Sequence, residues 1–322
     1  MPPTYADVLD AAERLKGQAV RTPLIESPAL NERIGGRVLL KAETLQISGS
    51  FKFRGAYNRI SRLSEDEKRR GVVAFSSGNH AQGVAAAAKR VGCPAVIVMP
   101  ADSPRVKMEG VRAFGGEIRA YDRWTESREA IGAELARERG AVLVPPFDDP
   151  FVIAGQGTSG LEIIEDAEAL GLPIDRLLCG ASGGGLLAGL NLVLAERSPD
   201  TRVFVIEPAA FDDHARSLAA GERITLPPGE PSICDALMSP FPGEITFPIN
   251  QPRLAGALTV TDDEVRDAMR FAFRHLKLVV EPGGAVSLAA LLAGQVEGSG
   301  VTVLMLTGGN VDPHQFAEII TV

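Results

Sequence analysis

The chain has 322 residues, 45% of them hydrophobic, and a formal net charge of -8. That length serves two domains or one large α/β unit with a sizeable core, and an acidic chain without a basic run is a poor partner for nucleic acid. Its three cysteines, Cys93, Cys179 and Cys234, are too widely spaced for a CxxC pair or a disulfide framework, which suits reduced thiols and a cytoplasmic location.

The N-terminal stretch MPPTYADVLDAAERLKG has early acidic residues and lacks the apolar centre of a secretory signal. It predicts a helix capped by Thr4, with Asp7 completing a capping box and Gly17 as the stop. No apolar run reaches the length of a membrane span. Beyond it, VLLKAE (38–43), GVVAF (71–75), AVIVMP (95–100), AVLVP (141–145), DRLLCG (175–180), TRVFVIEP (201–208) and VTVLMLTGG (301–309) read as buried strands. Helical patterns lie between them at 77–92, 103–115, 125–140 and 184–199, and the charge run RLSEDEKRR (62–70) reads as a solvated helix end. Continuous apolar strands alternating with helices predict an α/β fold with mostly parallel sheets covered on both faces. Strand–helix alternations between KRRG and the Pro/Asp-rich PPFDDP predict a small domain, 70–147, inserted into a large discontinuous one, 1–69 and 148–322.

Five stretches carry chemistry. In SGSFKFRGA (48–56), Lys52 stands between Phe51 and Phe53. Such a lysine either lays its stem along an apolar face or presents a desolvated amine, which loses its proton readily and attacks carbonyls. In CGASGGGLLAGL (179–190), Ser182, Gly183, Gly184 and Gly185 follow a strand and open a helix, where free backbone N–H groups and the helix dipole suit a phosphate. The pattern is neither a nucleotide P-loop nor a dinucleotide fingerprint; a tight turn with close helix–sheet packing is the plainer account. FSSGNHAQG (75–83) brings Ser77, Asn79 and His80 to one strand tip, where Ser or Asn also serves as a helix cap. MLTGGN (305–310) offers the Thr307 hydroxyl at the end of the last strand, and VVEPGGAVSLAALL (279–292) leads Glu281 into a helix. Together these ask for one ligand with a phosphate, a carbonyl and a flat ring, which describes pyridoxal 5′-phosphate.

With RTPL (21–24), VIAGQGT (152–158) and VEPGGA added in order, the chain resembles the fold type II pyridoxal-phosphate enzymes of the serine/threonine dehydratase and serine racemase group over almost its whole length. The resemblance implies two open, twisted, mostly parallel sheets of the tryptophan synthase β type. It also implies that Lys52 joins the cofactor aldehyde and takes the Cα proton, that Phe51 packs on the ring, and that Asn79 meets the ring hydroxyl. Ser182, Gly183, Gly184, Gly185 and the Leu186 N–H would hold the phosphate; Thr307 would meet the ring nitrogen, with Glu281 also at the cofactor. Ser77 would move a proton on the opposite face. Ser76, Ser77, Gly78, Asn79 and His80 would receive the substrate carboxylate, with Ser239 and Arg128 as further substrate contacts. Arg128 is otherwise a helix-surface arginine paired with a nearby glutamate. Glu207, the Phe211 carbonyl and Asp213 match a divalent-cation set for Mg²⁺, Ca²⁺ or Mn²⁺; a charged helix start explains the aspartate as well.

The activity so implied is elimination of water from L-threonine or L-serine, giving a 2-oxoacid and ammonia. A 3-hydroxyaspartate dehydratase and a serine racemase are the enzyme alternatives, and an amino-acid-binding homologue without catalysis is the non-enzyme one. Phe75, where the racemase has a histidine, and the divergent DALMSPFPGEITFPI stretch speak against racemisation, and FKFRG speaks against the cysteine synthase branch. A homodimer or homotetramer without a C-terminal regulatory domain is expected.

Overall fold

The computed structural model describes residues 1–103, 105–122, 124–296 and 299–322. Its strands are β1 (Leu24–Glu26), β2 (Arg37–Ala42), β3 (Val72–Phe75), β4 (Ala95–Pro100), β5 (Glu117–Tyr121), β6 (Val142–Leu143), β7 (Arg176–Gly180), β8 (Arg202–Pro208), β9 (Leu254–Val260) and β10 (Val301–Leu306). They form a six-stranded sheet in the order β1-β2-β10-β7-β8-β9 and a four-stranded sheet in the order β5-β4-β3-β6. Every pairing is parallel except that of the short edge strand β1 with β2. In the larger sheet β10 lies between β2 and β7, in register from Val301 opposite Arg37 to Leu306 opposite Ala42.

Successive side chains on a strand point to opposite faces, and the apolar strands divide accordingly. Val38, Leu40, Leu178, Ile206, Leu304 and Leu306 face one core beneath the helices Asp262–Phe271 and Pro282–Leu292. Leu39, Leu177, Val203, Val205, Val303 and Met305 face the other, against Tyr5–Leu15, Pro150–Ala169 and Gly185–Arg197. The four-stranded sheet is likewise covered on both sides. One of its cores recruits Phe53, Ala56, Tyr57 and Ile60 from the helix Lys52–Ile60, outside the 70–147 segment.

All seven predicted strands appear, although AVLVP contracts to the two residues of β6. The unpredicted strands β1, β5 and β9 are edge strands. These strands are only partly covered, so they need no continuous apolar run; β5 reads EIRAY and is largely exposed or half-buried. The first helix runs from Tyr5 to Leu15, with the Thr4 N–H donating to Asp7 Oδ2 at 2.7 Å and Gly17 in a left-handed turn (φ +70°). Cys93, Cys179 and Cys234 are free and buried. Among the described residues no helix is long and apolar enough to cross a membrane.

Candidate active site

The carboxyl ends of β2, β3, β7 and β10 lead into the segments that carry the predicted residues, as expected of ligand sites in open parallel sheets. Lys52 opens the helix Lys52–Ile60 and is held to the tip of β10: Ser50 bridges to Gly308, and the Phe51 N–H donates to Thr307 O at 3.1 Å. The Lys52 amine donates to Pro146 O at 2.7 Å and lies 5.1 Å from the centroid of the Phe51 ring. Protein atoms around the amine desolvate its charge and lower its pKa to about 8. The helix Asn79–Val91 passes close behind, and a Cβ at Gly83 would lie 3.0–3.2 Å from Lys52 backbone and Cβ atoms.

Ser76, Ser77 and Gly78 are half-buried at the tip of β3, and the Ser76 hydroxyl accepts from Gly78 N–H at 3.1 Å. Asn79 donates its side-chain N–H to Glu281, while its Oδ1 accepts from Asn310 Nδ2 at 2.8 Å. The amide orientation is therefore fixed from both sides, and one Nδ2 hydrogen stays available. Burial and the nearby Asp235 charge raise Glu281 to about 7. The His80 Nε2–H donates to Val144 O at 2.8 Å, which leaves Nδ1 buried without a partner. Burial and the Lys52 charge lower His80 to about 3, so the ring is neutral.

At the end of β7, Ser182, Gly183 and Gly184 precede the helix Gly185–Arg197, and Gly184 has φ +83°. The N–H groups from Ser182 to Leu186 have no acceptor among the described residues. Phe147 packs so closely on this loop that a Cβ at Gly183 would come within 2.4 Å of its ring. The glycines therefore permit both the left-handed turn and the close approach of Phe147. Phe147 directly follows the lysine's acceptor, Pro146, so one short segment touches both the amine and the cup.

A buried amine, a loop of free amides and a polar strand tip thus gather around Pro146–Phe147 and the tip of β10. The family described as pyridoxal-phosphate dependent enzymes matches residues 15–308. The chain belongs to that family. An L-threo-3-hydroxyaspartate ammonia-lyase from Pseudomonas sp. is 44% identical over 98% of each chain. The protein of that description from Saccharomyces cerevisiae is 42% identical over 99% of this chain and 97% of its own. Among solved structures, maize serine racemase superposes with a TM-score of 0.93 at 37% identity, covering 99% of this chain and 97% of that one. The architecture is that of the fold type II pyridoxal-phosphate enzymes.

The residues present fit this cofactor. The cup offers unused amides to a phosphate, Lys52 offers a readily deprotonated amine to an aldehyde, and Thr307 sits buried at the tip of β10 between them. Phe51 is half-buried with its ring towards the Lys52 amine.

The remaining predicted residues lie in different surroundings. Ser239 adjoins the cup, its N–H donating to Ser182 Oγ at 3.3 Å, but its hydroxyl is engaged with Phe241 O at 2.9 Å. Arg128 is half exposed (49%), pairs with the adjacent Glu129 at 2.7 Å and stands 5.7 Å over the Phe75 ring, next to Ser76. Its partner is thus the next residue along rather than a glutamate one helical turn away. Glu207 is buried and accepts from His214 and Ala215 N–H at 2.7 and 2.9 Å. Asp213 is buried with both carboxylate oxygens unpartnered, and Phe211 is half-buried. Burial and Asp213 push Glu207 up to about 8, and burial pushes Asp213 up to about 7. Among the described residues no cluster of three or more His, Cys, Asp or Glu forms a metal cage.

Sequence reasoning missed several residues of this region. PPFDDP reads as a linker, yet Pro146 accepts from Lys52, Phe147 packs on the cup, and Asp148 accepts from the Glu244 and Ile245 N–H groups at 2.6 and 2.9 Å. An aromatic residue beside a proline pair was the available signal. Asn310, at the end of MLTGGN, has an amide that joins Asn79 to Ser48 O.

Proposed function

We propose that the chain is a pyridoxal-phosphate-dependent ammonia-lyase that eliminates water from a β-hydroxy amino acid, with L-threo-3-hydroxyaspartate its leading substrate. The carrying observation is the Arg128 guanidinium over Phe75, beside the loop proposed to receive the substrate. A guanidinium there suits a second carboxylate, which threonine and serine lack. The two hydroxyaspartate ammonia-lyases among the relatives support the same reading. The products are oxaloacetate and ammonia; the water lost in elimination is returned when the imine hydrolyses.

When bound, pyridoxal phosphate supplies the electron sink for negative charge at Cα. Lys52 would hold its aldehyde before substrate enters and, once freed as an amine of depressed pKa, would accept the Cα proton. Asn79, fixed by Glu281 and Asn310, turns its free Nδ2 hydrogen to the ring hydroxyl. Thr307, buried at the tip of β10, would meet the ring nitrogen, and a neutral hydroxyl there would not favour its protonation as a carboxylate would. The amides of Ser182 to Leu186 hold the phosphate. The Ser76–Asn79 loop takes the α-carboxylate, and Ser77 serves as a proton donor or acceptor on the face opposite Lys52. His80 presents Nδ1, which can only accept a hydrogen bond, so it suits a hydroxyl or ammonium rather than a carboxylate.

A second reading, threonine or serine as the preferred substrate, is favoured by the Arg128–Glu129 pair, which already satisfies the guanidinium. The test is release of 2-oxoacid and ammonia by cofactor-loaded enzyme with Mg²⁺ on L-threo-3-hydroxyaspartate, L-threonine, L-serine and D-serine, with chiral analysis of the remainder. The highest kcat/KM on hydroxyaspartate is expected. A higher value on threonine or serine establishes the second reading, and inverted substrate without oxoacid makes the protein a racemase.

We further propose that Glu207, the Phe211 carbonyl and Asp213 take a divalent cation, because a buried, unpartnered carboxylate beside another is a costly arrangement that a cation relieves. Asp213→Asn is the informative variant, since Glu207 also caps a helix while Asp213 faces only the Glu207 carboxyl. Mg²⁺, Ca²⁺ or Mn²⁺ should raise the Tm of the wild type and leave that of Asp213→Asn unchanged; no response in the wild type removes the cation.

A further inference from the structure

The carbonyls of the glycine cup are as ordered as its amides are free. Ser182 O accepts from His214 Nε2 at 2.8 Å. Gly183 O accepts from Thr246 Oγ1 at 2.5 Å and from Gly243 N–H at 3.1 Å. Gly184 O accepts from Asn250 Nδ2 at 3.2 Å, beside the Ala188 N–H of its own helix at 2.9 Å. Three consecutive carbonyls are therefore tied to one side by groups from outside the loop. His214, Thr246 and Asn250 are all buried. Thr246 and Asn250 stand four residues apart on the short helix Thr246–Asn250, so both reach the loop from one face. The Asn250 amide is oriented in turn by Asn191 Nδ2, which donates to its Oδ1 at 2.9 Å.

A trans peptide unit is planar, with its C=O and the following N–H pointing in opposite directions. Tying the carbonyls of Ser182, Gly183 and Gly184 behind the loop therefore turns the N–H groups of Gly183, Gly184 and Gly185 to its front. A glycine run left to itself samples many conformations, and amides that must reorient on binding stabilise an anion less than amides already aimed. We propose that His214, Thr246 and Asn250 are positioning residues that aim the cup's amides at the cofactor phosphate. They touch neither cofactor nor substrate, and their effect passes through the direction of three peptide planes. The same backing crowds Gly184, where a Cβ would lie 2.8 Å from Asn250 Nδ2 and 3.0 Å from His214 Cε1.

The proposal separates the phosphate from the aldehyde, and so does its test. Pyridoxal lacks the phosphate but still reacts with Lys52. Cofactor-stripped wild type, Thr246→Val, Thr246→Ser and Asn250→Leu are titrated with pyridoxal phosphate and with pyridoxal, following the imine absorbance. Thr246→Val removes the shorter of the two donors to Gly183 O with little change of shape, and the loosened peptide plane should weaken pyridoxal phosphate about tenfold. Asn250→Leu should do the same. Pyridoxal affinity should stay within about twofold in every variant, and Thr246→Ser, which keeps a hydroxyl, should bind both like the wild type. Equal losses for the two ligands would show a general structural role and overturn the proposal. Unchanged pyridoxal phosphate affinity in both Thr246→Val and Asn250→Leu would overturn it as well.

Discussion

The two phenylalanines beside Lys52 have different jobs. Phe53 is fully buried in the core of the four-stranded sheet, while Phe51 turns its ring to the amine. The ordinary lysine value is 10.5, and burial brings Lys52 to about 8. Below that pH the amine is a charged, unreactive ammonium; above it the free base dominates. The rate at which cofactor-stripped protein forms its imine with pyridoxal phosphate should therefore rise with pH through about 8, read by absorbance between about pH 6 and 10. A rise centred near 10.5 would show that the amine is not desolvated. Arg128 makes a separate prediction. Arg128→Met should raise KM for L-threo-3-hydroxyaspartate by about tenfold or more and leave that for threonine unchanged, because only the former has a second carboxylate for the guanidinium. Parallel changes on both substrates would return Arg128 to the surface role.

The helix that begins at Lys52 rests on a buried ionic cluster. Arg54 is 1% exposed and pairs with Glu43 at 2.8 Å and Glu162 at 2.7 Å. Lys41, fully buried, joins Glu162 at 2.6 Å and donates to Thr22 O at 2.6 Å. Burial alone would lower the Arg54 pKa, but Glu43 and Glu162 outweigh it and hold the guanidinium charged. Burial alone would likewise raise Glu43, and Arg54 brings it below its ordinary value. The two cations and two carboxylates balance, so removing one leaves a buried charge uncompensated. Glu43→Gln should cost about 3 kcal/mol or more of stability, measured by urea unfolding at neutral pH. The Glu43 contribution is present above the ordinary carboxylate pKa and is lost as pH falls through its lowered folded value. The penalty of Glu43→Gln should therefore shrink in acid, and a pH-independent penalty would assign the loss to packing. Which elements were legible follows from burial. Strands buried on both faces declare themselves as apolar runs, such as AVIVMP and VTVLML. The half-buried edges EIRAY and LAGALTV do not.

Across the whole molecule, the motifs SGSFKFRGA, SSGNHAQG, SGGGLLAG and TGGN show the limits of pattern. Each lies at a strand tip proposed to meet ligand, and such places need small or hydrogen-bonding residues that composition alone reveals. The groups behind them were silent. Thr246, Asn250, His214 and Asn310 are ordinary polar residues until folding sets them against a carbonyl, and PPFDDP has the composition of a plain linker. The 70–147 segment carries the four-stranded sheet, and Lys107 on the helix Arg105–Ala113 reaches out of it to pair with Asp235. If this unit closes over substrate to exclude water, small-angle scattering should show a more compact particle with a non-reacting substrate analogue than without one. Identical profiles would leave the cleft rigid.

The place of β10 between β2 and β7 has a consequence for biosynthesis. It follows every other strand in the chain, yet it separates the strand that leads to Lys52 from the strand that leads to the glycine cup. Until residues 301–306 pair, those two half-sites share no sheet and are linked through Pro146–Phe147 and the helix Pro150–Ala169. Firm cofactor binding should thus wait for β10, and a stalled nascent chain lacking it should form far less imine with pyridoxal phosphate than the full chain does.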